Sequence, residues 1–429
     1  MLPSNFVPVA IVGAGPYGLS LAAYLRRAGI AHRIFGSAMG SWRTQMPTTM
    51  FLKSEGFASN LAQPDREMSL RDFCEESGYA YRDYGLPIPL HVFVKYGLAF
   101  QRHFAPDLED TMVSEVRQHD RGFTLLLASG EQMLARNVVI ATGIDPYRHI
   151  PAPLAGLPSQ LCSHTAAHND YSVFHGQRVC VIGAGASATD AAAALHMAGA
   201  HVQLITRSEQ LSWMSQRTKR PLIEAWFKRD VLGAGRLGQG HAYSDVPQLY
   251  RYLPEKTRLR VATTFLGPRG GWPVRDCVEK LPNIHGFLLD DAKVHDSRIV
   301  LHLSSKDGKK RRVDADHLIA GKGYRIDLQR LSFLNPSLRL GIKTLRGAPV
   351  LSPHFESSMP GLYFTGVNGL YDFGPLTRFV AGTRFASKRI SRQLAEATRE
   401  TSPFVTGRSF AADRLAPHSI WPMSPSDKR

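Results

Sequence analysis

The chain has 429 residues, of which 43% are hydrophobic and 21% charged, the ordinary balance of a folded protein with an ample core and length for two domains. No apolar run approaches the roughly 20 residues of a membrane helix, and no basic stretch precedes the first apolar tract, so a soluble, cytoplasmic protein without a signal peptide is expected. The net charge of +16 is scattered, apart from Lys309–Arg312 beside Gly308, which reads as a solvated hairpin turn; nucleic acid is therefore not expected as a partner.

In chain order, a strand at Val9–Val12 feeds a glycine turn, Gly13–Gly18 (GAGPYG), and a helix over Gly18–Ala28. A second strand follows at Ala31–Phe35. Residues 36–55 read as a long loop rich in Trp, Met, Pro and Thr, a length of irregular chain more often functional than not. Phe93, Tyr96 and Phe100 mark a helix that ends before Pro106. An antiparallel pattern comes next: Val113–Arg117, Phe123–Leu127, a Ser129–Gly130 turn, and Met133–Leu134. Val138–Ala141 is a buried strand ending at Thr142 and Gly143. Pro146, Pro151, Pro153 and Pro158 mark a linker. A second strand–turn–helix unit spans Val179–Ile182, Gly183–Ala188 (GAGASA) and Ala186–Ala198, with a strand at His201–Thr206. From Ser208 to Thr257 the chain reads as loops with helical stretches. Strands return at Ile299–Leu303, Val313–Ile319 and Leu362–Thr365, and a helix at Arg378–Leu394. The tail after Arg399 reads as poorly ordered or wrapped on the surface.

Two glycine fingerprints, each between a strand and a helix, point to two dinucleotide sites. Glycine permits the tight turn and close backbone approach, and the helix N-terminus offers N–H groups and a positive dipole end to a pyrophosphate. In the first, Gly13, Gly15 and Gly18 complete the spacing, and Pro16 and Tyr17 complete the turn. The acid that usually holds the ribose is missing; Gly36 stands there, with Ser37 next as a candidate. In the second, Gly183, Gly185, Ala186, Ser187 and Ala188 form the turn, and its second strand leads into Arg207 and Ser208. An arginine there binds a 2′-phosphate that an aspartate would repel, so NADPH is expected over NADH; the alternative is a solvated surface arginine. Cys74, Cys162, Cys180 and Cys277 form no close pair, which argues against structural zinc, a disulfide framework and a redox dithiol. No metal-spaced cluster of His, Cys and acidic residues stands out, and no metal is expected.

Taken together, these motifs resemble the class B flavoprotein monooxygenases: flavin-containing, N-hydroxylating and Baeyer–Villiger enzymes. GAGPYG resembles their FAD fingerprint, and Gly40-Ser41-Trp42-Arg43 their Gly-x-Trp-Arg segment. Val138–Gly143 (VVIATG) is similar to their crossover strand. His164, with Phe174, Gly176 and Arg178-Val179 leading into GAGASA, resembles their linker before the NADPH motif. Pro360–Gly366 (PGLYFTG) and Phe373-Gly374-Pro375 resemble the segment that closes on the flavin. The chain departs from the pattern at Gly321-Lys322-Gly323-Tyr324, where the family carries ATGY. It also lacks the Baeyer–Villiger fingerprint, having Pro158, Gln160 and His168 with only His164 matching.

The resemblance implies an α/β fold with two Rossmann-like domains, three-layer ββα in build: an FAD domain at 1–160 and 319–398, an inserted NADPH domain at 161–318, and a tail at 399–429. It implies a flavin reduced by NADPH that traps O2 as a C4a-(hydro)peroxide and oxygenates a small molecule, first of all an amine nitrogen or another soft nucleophile. Trp42, Arg43, Lys53, Ser54, Thr142, Gly143, Gly366, Asn368 and Pro375 are then expected around the flavin. Lys53, Asn368 and His164 are the candidate catalytic groups, with a surface lysine, a turn asparagine and a structural histidine as the bland alternatives. The expected partners are substrate and O2, with homodimerisation left open. The competing readings are an FAD-dependent NAD(P)H oxidase or reductase without oxygenation, and a non-catalytic nucleotide-binding protein.

Overall fold

The computed structural model describes residues 5–216, 246–265 and 267–400, the last three without their side chains. The expected loop and helical stretches within 217–245 and the tail beyond residue 400 lie outside the described residues.

The first sheet grows from β1 (Phe6–Val12), the helix α1 (Pro16–Arg27) and β2 (His32–Phe35). The long loop that follows contains a short helix, α2 (Gly40–Thr44). Two helices come next, α3 (Leu70–Glu76) and α4 (Leu90–Phe104). The sequence reading misses α3, although Ser69 caps Asp72 N–H at 3.1 Å while the Asp72 carboxylate accepts from Ser69 N–H at 2.8 Å. Then β3 (Val113–His119), β4 (Gly122–Leu127) and β5 (Gln132–Ile140) complete the meander.

The sheet order is β2-β1-β5-β4-β3, with the late strand Leu362–Phe364 also on β5. β5 is one strand where the sequence suggests two, because polar Arg136 and Asn137 interrupt the apolar pattern. The Asn137 amide donates to Pro8 O at 3.1 Å, which lets the strand run through unbroken. Its first half pairs antiparallel with β4 and its second half parallel with Leu362–Phe364, while β1 lies parallel along its other side. This makes β5 the spine of the sheet.

The second sheet is wholly parallel, with order β6 (Cys162–His164), β12 (His317–Ala320), β7 (Arg178–Ile182), β8 (His201–Ile205). The helix α5 (Ala186–Met197) joins β7 to β8, and β12 enters much later in the chain. Between them β9 (Phe287–His295), β10 (Arg298–Ser305) and β11 (Lys310–Ala315) form a small antiparallel sheet. β9 is absent from the sequence reading because its charged residues (FLLDDAKVH) leave little alternation. The expected strand Val313–Ile319 is divided at Asp316, whose carboxylate takes Arg178 and leaves the chain free to pass from one sheet to the other. The Lys309–Arg312 run is exposed but is not the expected turn: the chain turns at Lys306 and Asp307, and Lys310, Arg311 and Arg312 already belong to β11, paired with β10.

The expected helix at Arg378 begins only at Thr383 and runs to Glu400. Two short 3-10 turns, Pro375–Arg378 and Val380–Gly382, precede it. The Tyr17 hydroxyl lies 2.9 Å from both Thr377 O and Phe379 O and donates to these carbonyls, which a regular helix would use itself. Among the described residues no helix is long and apolar enough to cross a membrane.

Ile140 is fully buried, with Val12 on one side and Phe364 on the other. Ile140→Ala is expected to cost about 2–5 kcal/mol through the cavity left between three strands, read as a lower urea midpoint. A loss below half a kilocalorie would mean that β5 is not the spine described.

Candidate functional site: two glycine cradles and the residues between them

The first cradle follows β1. Gly13 has φ +116°, and a Cβ on it would lie 2.4 Å from Ala141 O. A Cβ on Gly18 would sit 1.9 Å from Gly13 O, whereas one on Gly15 would meet nothing within 4 Å. Two of the glycines therefore serve backbone contact and one keeps the space above the turn clear. α1 begins with Gly15 as its N-cap, without a side-chain cap and without an acid in the first turn, so Tyr17 and Gly18 present N–H groups to that space. Buried at the adjoining strand ends, the hydroxyls of Thr142 and Thr365 have no hydrogen-bond partner. Uncapped N–H groups, an open glycine and orphaned hydroxyls fit a phosphate-bearing dinucleotide, so the residues present suit the group their motif implies.

Gly36, standing where the ribose acid is usual, has φ +121°, a backbone conformation that disfavours any side chain there, and it lies in ordinary contact with Ala14 and Gly13. Ser37 follows it, half-buried and beside Gly40. Gly143 continues the Thr142 turn at φ +74°. Gly366 packs on the Tyr17 ring, and Pro375 is buried beyond Gly374, on which Tyr250 lies.

The second cradle repeats the plan except at its middle glycine, where a Cβ on Gly185 would lie 3.6 Å from Pro268. Gly183 (φ +155°) would place a Cβ 2.3 Å from Gly321 O. Gly185 caps α5 with no side-chain cap and no acid in the first turn, leaving Ala186 and Ser187 half-exposed. Ala188 takes the third-glycine position, and its methyl is accommodated because Gly321 opposite has none: a Cβ there would come within 2.6 Å of it. Arg207 is exposed and makes no ion pair among the described residues. The neighbouring Ser208 accepts from the Thr206 hydroxyl and from Gly286 N–H. The second cradle thus also fits a dinucleotide, with a cation at its rim.

Of the other residues expected around the flavin, Lys53 and Arg43 contact the second unit and the rest stay within the first. Lys53 reaches into α5, its ammonium 2.7 Å from Asp190 Oδ1. Asp190 is only 3% exposed, and burial raises its carboxyl above the usual range against the opposing pull of Lys53. Sequence reasoning missed Asp190, although one acid on the buried face of an alanine-rich helix was a visible signal. Ser54 hydrogen-bonds Ser59 at 2.8 Å. Trp42 packs edge-on to Phe93 at 4.6 Å. Arg43 is exposed, and its carbonyl accepts from Asn169 across the two segments. Asn368 is buried and accepts from the Tyr147 hydroxyl at 2.6 Å, another partner the sequence did not announce.

His164 sits on the second sheet. Ala166 N–H donates to its Nδ1, so its Nε2–H donates to Gly323 O at 3.0 Å, and burial pushes the imidazole below the usual histidine range. The structure therefore brings Lys53 to α5 and His164 to the turn after β12, while Asn368 stays with the first cradle.

Lys53→Met leaves the Asp190 carboxylate buried without a counter-charge, which is expected to cost about 3–5 kcal/mol at neutral pH. Because the folded-state carboxyl then titrates above its unfolded value, stability of the variant should fall as pH rises from about 4, the unfolded range, through the raised folded value. Replacing both, Lys53→Met with Asp190→Leu, should recover most of the loss. Urea unfolding of the variants across pH checks this, and a Lys53→Met variant as stable as the parent would refute the pair's burial.

The profile of the family described as pyridine nucleotide-disulphide oxidoreductase matches residues 10–236, across both glycine fingerprints. An FAD-dependent urate hydroxylase of Xanthomonas campestris pv. campestris is 25% identical over 301 residues, 63% of this chain and 59% of the relative. Ferredoxin–NADP reductase 2 of Chloroherpeton thalassium is 28% identical over 186 residues, 39% of this chain and 53% of the relative. The chain thus spans less than two thirds of the curated relatives it matches. The solved ornithine N-hydroxylase of Kutzneria sp. 744 superposes with a TM-score of 0.71 at 17% identity, over 92% of this chain and all of that one, a likeness of fold. With the profile covering more than half of its length, the chain belongs to the pyridine nucleotide-disulphide oxidoreductase family.

Proposed function

We propose that the protein is an FAD-dependent monooxygenase that uses NADPH and O2 to oxygenate a small molecule at an amine nitrogen or another soft nucleophile. One observation carries this reading above the others. Both cradles lie at C-terminal edges of parallel strands and are tied together by Lys53 and Asp190, and each of the four cysteines is a separate free thiol. Cys74 belongs to α3, Cys162 to β6, Cys180 to β7 and Cys277 to the short helix Arg275–Glu279. Burial raises the Cys162 thiol to about 11 and that of Cys180 to about 12, which suits inert thiols and not a reducing dithiol. The electrons then need another acceptor. The oxygenating relative and the fold shared with an N-hydroxylase favour O2 and a small nucleophile.

In this reading the first-sheet portion, residues 1–160 and the chain after the turn at Gly323, holds FAD, and the inserted portion holds NADPH; the insert runs past the expected 318 because β12 (His317–Ala320) is a strand of the second sheet. The first pyrophosphate rests on Gly13, Gly15, Pro16, Tyr17 and Gly18, with Ser37 toward the ribose and Thr142 and Gly143 beside it. Trp42, Arg43, Ser54, Gly366, Asn368 and Pro375 line the remainder of that site. The second pyrophosphate rests on Gly183, Gly185, Ala186, Ser187 and Ala188, with Arg207 and Ser208 toward the 2′-phosphate. Bound in the first cradle, FAD would supply the two-electron redox chemistry that couples NADPH oxidation to O2. One oxygen atom enters the substrate and the other leaves as water.

The side chains bind, orient and exclude water. The Lys53 ammonium has three donors and commits one to Asp190, so it can donate to a second group where the two portions meet. Asn368 is held by Tyr147 with one amide hydrogen to spare, and neutral His164 fixes the turn at Gly323.

The reductase-like relative motivates one competing reading, electron transfer without oxygenation. NADPH and O2 consumption are to be followed with panels of amines, sulfides and ketones. An oxygenase shows substrate-dependent NADPH use with an oxygenated product. Hydrogen peroxide equal to the NADPH consumed, with no substrate effect, would establish the oxidase instead. Arg207→Ala is expected to raise the KM for NADPH about tenfold or more, with little change for NADH, because a charge-assisted contact is lost. Equal effects on both would remove Arg207 from the 2′-phosphate.

A further inference from the structure

Strand register lays the two cradles over each other. In the first, Val12 stands between Phe35 of β2 and Ile140 of β5. In the second, Ile182 stands between Ile205 of β8 and Ala320 of β12. The backbone bonds repeat in the same places. Gly13 N–H donates to Phe35 O at 2.8 Å, and Gly183 N–H to Ile205 O at 3.0 Å. Ala141 N–H donates to Val12 O, and Gly321 N–H to Ile182 O, both at 2.8 Å. The match continues to Gly143 and Gly323, with φ +74° and +73°. Thr142 of the first cradle therefore corresponds to Lys322 of the second, and Ser37 corresponds to Arg207.

Hydroxyls flank one glycine turn and cations flank the other. Lys322 and Arg207 are both exposed, and neither has an ion-pair partner among the described residues. Desolvation by the surrounding chain first, and the Arg207 charge second, hold the Lys322 ammonium below the ordinary lysine range. Two like charges flanking one uncapped glycine turn favour anionic groups beside them. The strands that carry them lie two spacings apart, about 10 Å, with the glycine turn between, so each cation serves its own phosphate. Arg207 stands two residues past the end of β8, the strand whose end the motif places toward the 2′ position. Lys322 stands on the opposite side of the turn. Its backbone is fixed there by Gly323 O, which accepts from His164 Nε2 at 3.0 Å and from His149 N–H at 2.9 Å.

We infer that Lys322 binds the pyrophosphate of the dinucleotide in the second cradle, adding affinity whatever the 2′ group, while Arg207 supplies the preference for a 2′-phosphate. His164 acts as a positioning residue for that turn. The inference rests on the nucleotide assignment proposed above and goes beyond it in naming Lys322, the residue that departs from the ATGY pattern.

Equilibrium binding of NADP⁺ and of NAD⁺ to the flavin-loaded protein, by calorimetry at low and moderate salt, tests it without turnover. Lys322→Met should weaken both ligands by about tenfold or more, the loss expected for a charged hydrogen bond, with a shallower salt dependence. Lys322→Arg should restore most of the affinity, and flavin content and melting temperature should show that each variant is folded. Arg207→Ala should weaken NADP⁺ alone. Unchanged affinities in Lys322→Met, or a loss confined to NADP⁺, would overturn the role of Lys322. Failure of the parent protein to bind either nucleotide would instead overturn the cofactor assignment, and the inference with it.

Discussion

The structure depends on one steric condition, met twice: the glycine that ends a central parallel strand presses against the carbonyl of the residue ending the next strand. Gly13 does this to Ala141 and Gly183 to Gly321, at separations no Cβ would allow. Because the turn lies so close to its neighbour, the following helix starts directly above the strand edge, with its first N–H groups uncapped and facing outward. Phosphate affinity, strand order and the placing of Thr142 and Lys322 all follow from that contact.

A second condition holds the two sites in one register. Lys53 comes from the loop after the first βαβ unit and Asp190 from the helix of the second, and their pairing is nearly dry. Such a pair adds little net stability but is costly to break, so it acts as a constraint on geometry more than as a source of free energy. The Asn169–Arg43 and Thr48–Asn169 hydrogen bonds join the same two segments nearby. For electron transfer between two bound nucleotides, such fixed placement is the contribution a protein makes when the chemistry belongs to the cofactor.

The two cradles have diverged in charge while keeping their backbone. The first lacks an acid at Gly36 and has hydroxyls at its flanks; the second has cations at the matching places. In the proposed reading, that difference in side chains, laid on a shared frame of strands and turns, is what gives the second site its preference for a ligand with an additional phosphate.

Both glycine turns were legible from residue order alone, as were the strands before them, because spacing and apolar runs are local properties. The charge at Arg207 and the separation of the cysteines could also be read without coordinates. The continuity of β5 could not, since it rests on the Asn137 contact with Pro8 from a distant strand. Nor could the splitting of Val313–Ile319 between two sheets, which turns on the Asp316–Arg178 pair, or the late start of the last helix, which Tyr17 sets by taking two carbonyls. The partners of Lys53, Asn368 and His164 were equally beyond reach, because Asp190, Tyr147 and Gly323 are brought to them only by the packing of strands far apart in the chain. Local chemistry is written in the order of residues, whereas its orientation and burial are decided by contacts that exist only after folding.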